Sequence, residues 1–206
     1  MTEQVARRLP EWAIMYALHD AFRRDLDALL AASANSAAVR ARWDNFREQL
    51  HFHHVAEDEA MWPLVKARLA SNPKGLALID AMEEEHHLID PMLVMVGDAM
   101  AVDSDWARVT ALLSRMRDTL EVHLAHEEAD TLPLISETMT PAELGEIFTA
   151  LGRKGGVKRA AVMFPWALSD ADPDLRDRVL GNLPSPVRLL YRVVWLPRYR
   201  RRVATW

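Results

Sequence analysis

Six residues with metal-binding side chains recur along the first two-thirds of the chain: His19, His53, Glu57, His86, His123 and Glu127. His53 and Glu57 are four residues apart, and so are His123 and Glu127. On a helix that spacing stacks two side chains on one face, so imidazole and carboxylate can converge on one point. Each of the four histidines His19, His53, His86 and His123 lies in a run of apolar residues at steps of three and four. A face bound for the core normally excludes such groups unless a partner satisfies them. One histidine of this kind is usually a hydrogen-bonded core residue. Four of them with two stacked glutamates call for a cation.

The pattern repeats. His53, Glu57 and Pro63 fall at offsets 0, 4 and 10, and His123, Glu127 and Pro133 repeat those offsets 70 residues later. His19 and His86 each precede one such motif. The order is therefore a histidine, then His-x-x-x-Glu, twice over. Imidazole with carboxylate suits zinc, iron, manganese, nickel or copper(II), and nothing soft selects copper(I). Six ligands exceed what a single zinc takes, and two carboxylates able to bridge argue for two ions, as in di-iron carboxylate bundles. Two octahedral ions offer about twelve positions. The six ligands and an oxo or hydroxo bridge leave about two of them open. Glu-x-x-His also occurs at Glu83/His86 and Glu84/His87, but off this seam.

Four amphipathic helices must carry these residues. The apolar positions include Trp12, Met15, Phe22 and Leu26 in the first, and Trp43, Phe46, Leu50 and Met61 in the second. Ile79, Met82, Ile89, Leu93 and Val96 mark the third, and Leu113, Met116 and Leu120 the fourth. Breaks are expected at 34–36, 71–75 and 102–104. Pro63 and Pro133 should end or kink the second and fourth helices. Short connections make neighbours antiparallel, so the fold expected is all-α, an up-down-up-down four-helix bundle.

These residues resemble the hemerythrin-like, or HHE cation-binding, family. The segments that match are Leu18-His19-Asp20, His53-His-x-x-Glu57-Asp with Trp62-Pro63, Glu85-His86, and His123-Leu-x-His-Glu127-Glu with Pro133. The resemblance covers roughly residues 11–135. It implies a four-helix bundle with a non-haem di-iron centre that binds dioxygen or reacts with peroxide or nitric oxide. Oxygen-carrying members use five histidines, two of them one turn apart on the third helix. Here Asp90 stands one turn after His86, and this departure points to sensing or redox chemistry instead of carriage. Asp90 is then a further ligand or an acceptor for a histidine N–H. Manganese or a mixed pair would fit the same donors.

Neighbouring residues compete for the same roles. His54 adjoins His53 and His87 adjoins His86, each turned about 100° away on the helix. Asp58 would pair with His54 if the register slipped. Glu128, five after His123, competes with Glu127. Tyr16, one turn before His19, could reach the metal pocket, although a core aromatic is the plainer reading. His51 and His126 read as surface residues.

The last third differs. Residues 1–139 carry 13 Lys/Arg against 24 Asp/Glu, and residues 140–206 carry 12 against 6. A division into a metal-binding bundle, 1–139, and a basic, proline-punctuated helical extension, 140–206, is expected. Thr140-Pro-Ala-Glu143 reads as a capping box before a helix to Leu151, which Gly155-Gly156 then breaks. Phe164, Trp166, Leu189, Leu190, Val194 and Trp195 should pack on the bundle or line access to the metal. The six arginines after Pro186 read as pairing with the acidic bundle or as a solvated helix, in preference to binding nucleic acid or an acidic membrane surface. The absence of cysteine excludes disulfides, thiolate metal sites and thiol catalysis. No apolar run reaches membrane-spanning length, and no apolar stretch of signal-peptide length opens the chain, so a cytoplasmic location is expected. The function expected is handling of a small oxidant, in sensing or in peroxide removal. A di-iron oxygenase for a small organic substrate, or a regulatory module with a sensing metal site, is the alternative. The sequence leaves oligomeric state open.

Overall fold

A computed structural model of the chain describes residues 9–102 and 105–204. Among these residues every regular element is helical. The helices are α1 (Ala13–Leu30), α2 (Ala37–Ala56), α3 (Trp62–Arg68), α4 (Pro73–Ala101), α5 (Trp106–His126), α6 (Leu132–Thr138), α7 (Pro141–Leu168), α8 (Pro173–Gly181), α9 (Ser185–Leu190) and α10 (Leu196–Val203). Side chains cap three of them as the breaks predict. Ser36 accepts from Val39 N–H, Asn72 from Gly75 N–H and Asp105 from Arg108 N–H. Each satisfies a backbone donor that the first turn leaves unpaired. Asp103 and Ser104 of the third expected break lie outside the described residues.

Pro63 and Pro133 do not end their helices. A five-residue π-helical turn, Glu57–Met61, joins α2 to α3, and another, Glu127–Thr131, joins α5 to α6. A proline within an α-helix has no N–H to donate, and its ring meets the carbonyl four residues back. Widening the preceding turn absorbs both problems and lets the rod continue. A third π turn, Tyr191–Trp195, precedes Pro197. Val187, Tyr191 and Pro197 fall at the same offsets of 0, 4 and 10, with no metal-binding side chain among them.

The chain forms two compact units. Residues 23–151 make one. Its layers are the end of α1, the α2–α3 rod, α4, and the α5–α6 rod, with α4 packed on both rods. The core includes Leu26, Leu29, Phe46, Leu50, Ile79, Met82, Leu113, Met116 and Leu120, all within 1% of full burial. Polar ties join the layers. Arg23 donates to Glu121 and Glu128, Arg42 to the buried Asp25, and the Trp106 indole to the Ala32 carbonyl. The expected capping box is present, with Thr140 and Glu143 bonded reciprocally, and Glu143 also pairs with Arg68.

The second unit joins residues 9–22 to 152–204. The run Pro141–Leu168 is broken at Gly156, whose φ of 67° only glycine adopts without strain. Trp166 and Trp195 are buried, while Leu189 is 62% exposed. No residue of α9 is buried, and the buried side chains that follow it are Tyr191, Trp195 and Tyr199. Trp166 is fully buried with its ring 5.1 Å from that of Phe22. Trp166→Ala should cost about 3–5 kcal/mol of folding stability, measured by denaturant titration. No helix among the described residues is long and apolar enough to cross a membrane.

Candidate metal centre

The 23–151 unit gathers five of the six expected ligands, and His54 with them. His53, His54, Glu57, His86, His123 and Glu127 are each at most 5% exposed. His19 is also fully buried, on α1. The ring nitrogens offered by His54, His86 and His123 lie within 4.8 Å of one another. The His54 and His86 rings stack with centroids 4.0 Å apart, and the His123 ring meets that of His86 edge-on at 4.8 Å. His53 and Glu127 likewise offer atoms within 4.8 Å of each other. His53 and His54 thus do not compete for one position; they enter different groups. The buried sector at the end of α2 takes in Leu50, His53, His54 and Ala56, and Glu57 follows in the π turn, a width that admits adjacent residues.

Glu57 lies between the two groups. Its Oε1 is 3.3 Å from His53 Nε2 and its Oε2 is 3.5 Å from His86 Nε2. Neither oxygen makes a hydrogen bond, nor does Nε2 of His86 or His123. Buried polar atoms of this kind normally find partners. Here they converge on one another, as donors to a cation do.

A carboxylate orients each of the three histidines His54, His86 and His123. His54 Nδ1–H donates to Asp90 at 2.6 Å, His86 Nδ1–H to Asp58 at 2.7 Å and His123 Nδ1–H to Glu85 at 2.8 Å. That fixes the tautomer, aims each Nε2 lone pair inward and raises the basicity of the ring. Asp90 therefore stands behind His54. Asp58 serves His86, across the helices, not His54 on its own. Sequence reading missed Glu85, whose other oxygen accepts from His126 Nδ1–H. The one signal was its place beside His86, but its acceptor role is set by packing between helices.

The remaining neighbours are accounted for. Glu128 pairs with Arg23 at 2.8 Å. The Tyr16 hydroxyl accepts from Leu9 N–H. His51 and His87 are exposed. They line a cavity of about 780 Å³ together with Asp90.

Burial, then the charges of Glu127 and Asp58, push the Glu57 carboxyl well above its ordinary range. Burial lowers His123, against the pull of Glu85 and Glu127. Burial also raises Asp90, while the histidines around it pull the other way. For Glu85 burial is outweighed by its bonds from His123 and His126, and its carboxyl is held low. A raised carboxyl gives stability that is fully present below the unfolded-state value of 4.5 and is lost as pH rises toward the folded one. Metal-free Glu57→Gln should therefore match the wild type near pH 4. It should become the more stable of the two as pH rises to 8, in thermal melts with a chelator present.

The sequence profile of the hemerythrin HHE cation binding domain matches residues 12–135, and the chain belongs to that family. Among curated proteins it is similar to the "Zinc finger protein BRUTUS-like At1g18910" of Arabidopsis thaliana, at 24% identity over 203 residues. The match covers 89% of this chain and 16% of that protein, so the chain spans about a sixth of its relative. No solved structure gives a significant match.

Proposed function

We propose that this chain is a non-haem di-iron protein that binds or reacts with a small oxidant: dioxygen, hydrogen peroxide or nitric oxide. The observation that carries this reading is Glu57, a buried carboxylate with one oxygen facing each group of donors. The proposed ligands are His54, His86 and His123 on one ion and His19 and His53 on the other, with Glu57 and Glu127 shared. His19 enters on the sequence pattern and on its burial. The donor set fits a first-row pair, since imidazole nitrogens and carboxylate oxygens are what such ions take. An iron pair supplies electron exchange with a small oxidant.

The residues of this chain do the rest. Asp58, Glu85 and Asp90 hold three imidazoles in one tautomer, and the apolar core keeps bulk water out. Five imidazoles and two shared carboxylates leave fewer of the about twelve octahedral positions free than four imidazoles did. The opening left suits one small ligand. The cytoplasmic location belongs to the same proposal.

One feature favours an oxygenase as the second reading. A cavity of about 730 Å³ between α4 and α5 is lined by Leu88, Ile89, Val122, Glu85 and His123. Metal analysis with optical spectra before and after peroxide tests the main reading. About two iron ions per chain and a peroxide-dependent spectral change are expected. Uptake of a single ion would defeat the dinuclear reading. Conversion of an apolar compound under reductant and dioxygen would favour the oxygenase.

A further inference from the structure

Helical threonines in this protein follow one habit. The hydroxyls of Thr110, Thr119, Thr138 and Thr149 each donate to the carbonyl four residues back, at 2.7–3.0 Å. That local bond is the usual fate of a threonine inside a helix. Thr131 departs from it. Its residue is fully buried and its Oγ1 has no hydrogen-bond partner. Thr131 closes the π turn Glu127–Thr131, in which the Glu127 carbonyl accepts from the Leu132 N–H five residues on. Its hydroxyl proton has no acceptor there.

The place of that hydroxyl is informative. Thr131 stands four positions after Glu127, at the other end of the same π turn, and Glu127 is equally buried. Other buried polar atoms without a partner include Trp43 Nε1, Asn45 Nδ2 and Trp62 Nε1. None of those residues stands four positions after a shared carboxylate. The corresponding residue in the first half of the repeat is Met61, fully buried and apolar. The two halves therefore differ at this position, with a hydroxyl on the Glu127 side only. A buried hydroxyl left unbonded costs about 1–3 kcal/mol, so its presence calls for a partner that arrives later.

We propose that Thr131 is the hydrogen-bond donor to the small ligand held at the metal pair. The proposal rests on the di-iron reading above. Its donated proton favours ligands that present a lone pair or negative charge at their outer end, such as peroxide or azide. Thr131 is a binding residue here and is not a metal ligand.

Azide is the probe, titrated optically into the iron-loaded full chain. Thr131→Val keeps the shape and removes the hydroxyl, and Thr131→Ser keeps the hydroxyl. The valine variant should hold the same iron per chain and bind azide at least tenfold more weakly. The serine variant should stay within about threefold of the wild type. Thermal melts of the metal-free proteins give a readout independent of iron. There the valine variant should melt at or above the wild-type temperature, because the hydroxyl it removes has no partner. A lower melting temperature would show that the hydroxyl is bonded within the protein, and unchanged azide affinity would show that it does not meet the ligand. Either result overturns the proposal. Wild-type protein that takes up no iron, or takes it up and binds no azide, sinks the parent reading and this proposal with it.

Discussion

Glu57→Ala and Glu127→Ala should each lose at least one of the two iron ions proposed above, while Glu59→Ala keeps both. Glu57 and Glu127 are buried among the imidazoles, and Glu59 is exposed on the outer side of the same π turn. Removing a shared carboxylate takes an anionic donor from both ions at once. Glu57 should show the larger effect, because its two oxygens face His53 and His86 in different groups. Iron counted by plasma emission after gel filtration settles the matter. Equal iron in all three variants would mean that the carboxylates at these positions do not hold the metal.

His54→Ala should empty the position it shares with His86 and His123, and Asp90→Asn should weaken that position without emptying it. The first removes one of three nitrogen donors. The second keeps the size of the side chain but removes the charge behind His54. Loss of such a carboxylate costs about 10–100-fold in metal affinity. It should also raise the reduction potential, because a negative charge near the iron favours the ferric state. Competition with a chromogenic chelator gives the affinities, and redox titration gives the potential. His87→Ala is the control, since His87 is exposed. Loss of iron from His87→Ala equal to that from His54→Ala would move the ligand off α2.

The histidines and glutamates announce themselves because helical periodicity is local. Four residues apart on one helix means stacked, whatever the rest of the chain does. The same logic made His53 and His54 look like rivals, since neighbours on a helix diverge by about 100°. It fails where a helix is buried over more than one stripe, and α2 at residues 50–56 is such a place. The carboxylates behind the histidines were harder to read. Asp58 reaches His86 across 28 residues and Glu85 reaches His123 across 38. Those pairings depend on how two helices pack, and no spacing within one helix encodes them. Pro63 and Pro133 were visible as disturbances, but the remedy was not. A break and a widened turn both relieve a proline, and only the packed rods on either side decide between them.

The third π turn bears on the order of events when metal meets this protein. Tyr191–Trp195 takes the same form as the turns that begin at Glu57 and Glu127, ahead of the same residue type, with no donor to an ion. A π turn of this form therefore forms ahead of a proline without any metal donor, so the turns that carry Glu57 and Glu127 do not require an ion to take their shape. Loading need not wait on refolding. If the proposed iron pair binds there, its occupancy can change without a change in helix content.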